Sequence, residues 1–313
     1  MTPRQLRYFV EIARTGSITT AARTLRIAQP ALSQHVALIE AELGTAVFVR
    51  QARGVQLTAD GRRLLARATS LLQQFDNLRH DITAPPERPR GPVRLCIAGA
   101  LATVLVAPLF RRVEQDFPEV RLVISTAMSF EVRTRLEARQ VELALMPNAF
   151  ELPNLLATPL YEETFHLFGL ARLFGEEDGP IRFADIGTRP LVAADRDHDL
   201  RRIIERTALA LNCPLNVRYE LNSPELSLAL IRDGLAFAVM PPSAGGAACV
   251  PGPQAIRARM IVEPCLTRVQ SVVSVTDQPL SAAALAVQGA LRAVVAQLVD
   301  EGLLQGRLLG EGA

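Results

Sequence analysis

The chain contains no lysine: all 34 of its basic residues are arginine. Because that bias runs through the whole sequence it marks no particular site, although arginine offers planar, bidentate donors to phosphate and guanine. Cysteine is scarce, and Cys96, Cys213, Cys249 and Cys265 lie far apart with no CxxC spacing. That pattern carries no metal signature and suits a reducing compartment. Long apolar runs are lacking as well. The stretch from Ala98 to Phe110 is too short to span a bilayer and contains Pro108. The first ten residues hold Arg4 and Arg7 in amphipathic sequence rather than a secretory signal. A cytoplasmic protein with no membrane partner is expected. Catalytic signatures are also missing: there is no P-loop, GxSxG or HExxH, and His35, His80, His166 and His198 are scattered. The expectation is therefore no enzyme, no metal and no cofactor.

What is present is a globular composition, 49% hydrophobic and 21% charged, over 313 residues, which sets a prior of two or three domains. The net charge is only +2, but it is unevenly spread. Residues 1–65 hold nine arginines against four acidic residues, a local balance of +5, so the remainder is slightly acidic. A basic head on a near-neutral body is the footprint of a small DNA reader joined to a larger domain.

In that head, Leu6, Phe9, Val10 and Ala13 fall on one helical face, Gly16 stops the helix and Ser17 caps a short second one, Ile18 to Leu25. A tight turn, Arg26 to Gln29, leads to a third helix beginning at Pro30. Its stripe of Leu32, Val36, Ile39 and Leu43 is expected to be buried. Gln29, Ser33, Gln34 and His35 are expected on the opposite face, where such groups suit base edges in the major groove. An ordinary solvated helix presents the same pattern, so spacing alone leaves both readings open. The continuation favours DNA. Val47 to Arg50 and Gly54 to Leu57 read as a hairpin carrying Arg50 and Arg53, a wing within reach of phosphates.

The runs Gly16-Ser17-Ile18-Thr19-Thr20-Ala21-Ala22, Gln29-Pro30-Ala31-Leu32-Ser33 and Ile39-Glu40-Ala41-Glu42-Leu43-Gly44 resemble the signature of LysR-type transcriptional regulators. Phe48-Val49-Arg50 and Leu57-Thr58-Ala59-Asp60-Gly61 continue the match without gaps over about sixty positions. The resemblance implies a winged helix-turn-helix over residues 1–58, with Ser33, Gln34 and Arg50 at positions that commonly contact DNA; the full set of candidate DNA contacts is Ser17, Thr19, Gln29, Pro30, Ser33, Gln34, His35, Arg50 and Arg53. Double-stranded DNA with a pseudo-palindromic operator is the implied partner. Two departures stand out: Ala28 occupies a position where the family often has a capping Ser or Thr, and Ala37 and Leu38 replace frequent basic residues.

From Ala59 to about residue 84 the sequence reads as one long helix. Leu64, Ala68, Leu71, Phe75, Leu78 and Ile82 recur at heptad spacing, a seam that needs a partner helix. Packing on the chain's own body is the alternative. The resemblance also implies a dimerising linker helix, giving a homodimer or a dimer of dimers. Prolines 85, 86, 89 and 92 then make a hinge over residues 85–92.

Beyond it, strands alternate with helices, indicating a parallel α/β sheet with ligands at the carboxyl ends of the strands. The two α/β halves resemble a type 2 periplasmic binding protein, the family's effector domain, over residues 93–303. Subdomain I is expected at about 93–163 and 268–303, and subdomain II at about 164–267, with the chain crossing near Glu162–Glu163 and returning near Arg268. Asn222-Ser223, Gly234-Leu235-Ala236 and Pro264-Cys265-Leu266-Thr267-Arg268 are most similar to the nitrogen-assimilation-control branch. Ala100, Thr103, Ser129 and Ser223, at strand-to-helix junctions, are candidate contacts for a small-molecule effector; plain helix capping competes for each hydroxyl. Residues Asp195 to His198 read as a solvated turn rather than a metal site. RNA polymerase is a further candidate partner. The alternative function is the same reader acting without effector, or as a thiol redox sensor through Cys213 and Cys249.

Overall fold

The computed structural model describes residues 1–51, 54–83, 88–176, 179–245, 255–277 and 279–310. Arg53, Cys249, residue 84 at the end of the expected linker helix and residues 85–87 of the hinge lie outside them.

The head is three helices and a hairpin. In α1 (Pro3–Thr15), Thr2 and Gln5 form a reciprocal capping box, and Gly16 ends the helix in the left-handed conformation at φ 64°. Gly16 is suited to this turn because it lacks the Cβ that penalises positive φ. Helix α2 (Ile18–Leu25) is capped by Ser17, and α3 (Gln29–Leu43) starts at Ala28, which supplies no side-chain cap. Phe9, Ile12, Ala21, Leu32, Val36 and Ile39 close one core. Leu43 departs from the expected stripe: as the last residue of α3 it is 40% exposed, because its turn has run past the helices it would pack on. Strands β1 (Phe48–Gln51) and β2 (Gly54–Leu57) pair antiparallel with Arg50 opposite Val55. Two ties hold this wing on the helices. The Glu40 carboxylate accepts from Val47 N (2.8 Å) and Phe48 N (3.2 Å), and Val55 N donates to Gly16 O (2.9 Å). A Cβ at Gly54 would stand 2.3 Å from that same Gly16 oxygen, so the close approach requires glycine.

Thr58 opens the linker helix α4 (Ala59–Thr83) by accepting from Gly61 N at 2.9 Å. The heptad seam divides along this helix. Ala68 is fully buried with Leu72 in the head's own core, and Leu64 packs against it. Those two seam residues therefore do not face a partner chain, because α1 already covers them. Leu71, Phe75, Leu78 and Ile82 remain 43–79% exposed.

The body is two α/β halves. The first is a six-stranded sheet in the order β14-β6-β13-β5-β3-β4, carrying α5 (Ala102–Asp116), α6 (Ser129–Glu137) and α11 (Ala282–Asp300). Strand β3 (Gly91–Ala98) runs parallel to β4 (Val120–Ala127) and β5 (Leu143–Pro147). The sheet is mixed rather than parallel, since β6 (Leu155–Thr164), β13 (Thr267–Val275) and β14 (Gly306–Leu308) are antiparallel neighbours. The two crossing strands impose this: β6 carries the chain out, β13 brings it back, and Glu163 pairs in register with Arg268. Helix α11 is long and apolar enough to cross a membrane, but here Ala284, Val287, Leu291 and Val294 fill the first half's core.

The second half holds β7 (His166–Leu170), β8 (Ile181–Arg182), β11 (Ala238–Met240) and β12 (Ile256–Val262) in the order β11-β7-β12-β8. Beside them β9 (Leu191–Ala193) and β10 (Val217–Glu220) pair parallel. Helices α7 (Ala171–Phe174), α8 (Asp199–Ala210), α9 (Pro224–Arg232) and α10 (Pro242–Gly245) complete it. Phe165, Phe183, Ile204 and Phe237 anchor its core.

Candidate DNA-reading surface and ligand cleft

On α3, Gln29, Pro30 and Gln34 are exposed, and Ser33 is half-buried. Gln29 Nε2 donates to Ser33 Oγ (3.1 Å), so these two groups share one turn of the open face. Thr19 is exposed on α2, whereas the Ser17 hydroxyl is engaged as a cap, accepting from Thr20 N at 3.3 Å. Arg50 stands exposed on the wing and has no acidic partner among the described residues. By contrast Arg63 is held by Asp60, and Arg62 reaches Leu57 O (3.0 Å). The Asp60 carboxyl lies below its usual range because Thr45 and then Arg63 donate to it.

His35 does not share the open face. Its ring lies 5.0 Å from the Tyr8 ring, and its buried Nδ1 has no hydrogen-bond partner. Lying three residues after Leu32 and four before Ile39, it sits at the edge of the buried stripe and turns toward α1. Its ring thus packs toward α1, unlike the exposed Gln34.

The second feature is a cleft of about 480 Å³ between the halves of the body, within the usual range for small-molecule sites. Thr103 and Ser129 line it from the first half, and His198 and Ser223 from the second. The Ser129 hydroxyl, at the first residue of α6, makes no hydrogen bond among the described residues. Ser223 caps α9 by accepting from Leu226 N (3.3 Å), and its own proton goes to Glu225 Oε2 (2.7 Å). The capping alternative therefore holds for Ser223. Ala100 lies in the short turn Gly99–Leu101, between the lining residues Gly99 and Ala102.

Arg268 and His198 also line the cleft, and they join a polar set for which sequence reading proposes no site role. Arg268 ion-pairs with Glu163, lies 3.8 Å from Asp199 and stacks over Phe165 at 5.1 Å. Gln270 Nε2 (2.7 Å) and the Tyr161 hydroxyl (3.1 Å) also donate to Glu163. Burial, and then the Glu163 charge, push the Tyr161 phenol well above its ordinary value, so it remains a proton donor. Asn148 reaches across from the first half to Asp199 at 3.2 Å. His198 caps α8, its Nδ1 accepting from Leu200 N (3.2 Å); burial and then Arg268 hold the imidazole below its usual pKa, keeping it neutral. Spacing could not have found this set because its members come from β5, β6, β13 and α8. Of the turn expected to be solvated, Arg196 and Asp197 are exposed, whereas Asp195 and His198 are half-buried and engaged, Asp195 accepting from Asn222 Nδ2 at 2.6 Å. Among the described residues no cluster of His, Cys, Asp and Glu could hold a metal. Cys96 is buried, Cys213 half-buried and Cys265 exposed, all as free thiols.

Comparison with known proteins matches the chain in two parts. The model of the bacterial regulatory helix-turn-helix protein, lysR family, matches residues 3–62, and the LysR substrate binding domain matches residues 86–296. The nitrogen assimilation regulatory protein nac of Klebsiella aerogenes is 29% identical over 251 residues, covering 80% of this chain and 81% of that protein. This similarity agrees with the branch suggested by the second-half residues. The HTH-type regulator BbuR of Bordetella bronchiseptica is 26% identical over 75% of this chain and 72% of its own. Among solved structures, a full-length OxyR variant from Pseudomonas aeruginosa superposes with a TM-score of 0.74 at 21% identity, covering 100% and 99% of the two chains. CbnR in complex with its target DNA superposes with a TM-score of 0.68 at 19% identity, covering 95% and 99%. At such identities these superpositions speak for the fold alone. The two domain matches decide the assignment: the chain belongs to the LysR family of DNA-binding transcriptional regulators.

Proposed function

We propose that this regulator reads a pseudo-palindromic operator in the cytoplasm as a homodimer or dimer of dimers. Gln29, Ser33 and Gln34 face base edges, and Arg50 faces phosphate. The working division is residues 1–58 for reading, 59–84 for pairing through Leu71, Phe75, Leu78 and Ile82, 85–92 as hinge and 93–303 as sensor. The observation that carries the DNA assignment is Arg50, exposed on the wing without an acidic partner among the described residues, in a head whose α3 also exposes Gln29 and Gln34. Phosphate contacts set affinity and salt dependence, while bidentate groups on α3 discriminate bases.

The sensor takes a small molecule in the cleft between its halves. Helices α5 and α6 begin at the cleft without a side-chain cap, and the N–H groups at such helix starts favour a carboxylate or similar anion. The unengaged Ser129 hydroxyl and Thr103 suit the same group. RNA polymerase would be met once the reader is placed on DNA. The test is genome-wide mapping of the DNA bound by the full-length protein. The expected result is a few enriched sites sharing a two-fold related motif, with neighbouring genes indicating the effector's chemistry. Uniform recovery of the genome would sink the assignment.

A further inference from the structure

Helix α4 joins head to body, and one polar side chain fixes it to the body. Gln73 is 8% exposed and lies between two charged groups of the first-half sheet. Its amide nitrogen donates to Glu142 Oε2 (3.3 Å), and its amide oxygen accepts from Arg94 Nε (2.9 Å). Arg94 is on β3, and Glu142 immediately precedes β5, so a single amide spans two adjacent strands. Those strands are already locked there, since Glu142 N donates to Arg94 O (3.1 Å). The other Glu142 oxygen accepts from Ser281 Oγ (3.1 Å), and Ser281 caps α11. A primary amide is neutral yet donor and acceptor at once, the one combination that satisfies a carboxylate and a guanidinium together.

The joint is close-packed. Ser70, Val141, Val275 and Leu280 surround it, with a void of about 20 Å³, room for about one water. The head meanwhile grips another part of the same helix. Ala68 and Leu72 are buried in its core, and Arg7 pairs with Asp76 at 2.5 Å. The head and α4 therefore form one lever, pivoting where Gln73 meets the body. From residue 59 to residue 73 the helix runs roughly 21 Å. A tilt of about 10° at the joint displaces the head end by roughly 4 Å, about one base-pair step along DNA.

We propose that Gln73 is a positioning residue that sets the angle between head and body, and through it the spacing accepted between half-sites bound by the two α4 pairs of a dimer of dimers. The inference rests on the DNA-reading proposal above. It is tested with the full-length chain by selecting duplexes from a random-sequence library and sequencing what is retained. Wild type should retain half-sites at a narrow spacing. Gln73→Glu keeps the Arg94 contact but sets a carboxylate against Glu142. It should select the same half-site sequence with a spacing shifted or broadened by about one base pair or more. The double exchange Gln73→Glu with Glu142→Gln restores a donor and acceptor in reversed positions and should restore the spacing. Gln73→Ala serves as the single variant should Gln73→Glu not fold. An unchanged spacing in the single variant, or a shift that the exchange does not reverse, overturns the role of Gln73. A wild type that enriches no half-site at all removes the DNA-reading proposal, and this inference with it.

Discussion

At the scale of single residues, the head combines engaged and unengaged polar groups, and the difference assigns their work. Ser17, Thr58 and Glu40 are used up holding backbone N–H groups of α2, α4 and the wing. Arg50 has no such employment and is available to DNA. His35 shows where residue type misleads: a polar ring on the recognition helix looks like a base reader, yet its angular position places it against Tyr8. Its neighbour Gln34, one residue earlier, is exposed. Ala28 leaves the N-terminus of α3 without a side-chain acceptor although its backbone is extended, at φ −67° and ψ 134°. Ala28→Ser is therefore expected to stabilise the head by about 1 kcal/mol, a typical gain for an added cap. A denaturant titration of the full chain checks it; no change, or a loss, would mean that the Ser hydroxyl does not reach the α3 N–H groups.

At the scale of elements, what the sequence made legible was what is periodic and local. The helices of the head, the long α4 and the sensor's α8 and α9 follow from apolar spacing and from capping residues within a few positions of each end. Strands β6 and β12 did not, for opposite reasons. β6 contains Pro159 and the pair Glu162–Glu163, and β12 alternates Arg257 and Arg259 with apolar residues, so neither reads as a core strand. Both polar sets are accounted for only by distant partners: Glu163 by Arg268, and Arg259 by the carbonyls of Gly179 and Pro180. The α4 seam was visible as a period, but the period could not say that α1 covers its first third. What remains open, Leu71 to Ile82, is the dimerising face in this account. Leu78→Asp with Ile82→Asp is expected to leave the head folded, because both residues are exposed, and to yield monomers by sedimentation velocity. Intact dimers in that variant would place the interface elsewhere.

At the scale of the molecule, this account gives the chain three working parts: a reader, a lever and a sensor. The family assignment and the two-half body were legible because about sixty ungapped residues carry the reader and a repeated strand–helix alternation carries the sensor. The polar set around Arg268 was not legible. Arg268, Glu163, Asp199 and Asn148 meet only because two strands cross between the halves, bringing together residues 51 or more positions apart along the chain. The central claim is that the free face of α3 chooses sequence while the wing supplies affinity. It is tested most directly by titrating the recovered operator and a scrambled duplex with wild type, Ser33→Ala and Arg50→Ala at several salt concentrations. The account predicts that Arg50→Ala weakens binding to both duplexes and lowers the salt slope by about one, and that Ser33→Ala narrows the operator's advantage by about 1–3 kcal/mol. Equal affinity and equal salt slope for all three proteins on both duplexes would contradict it.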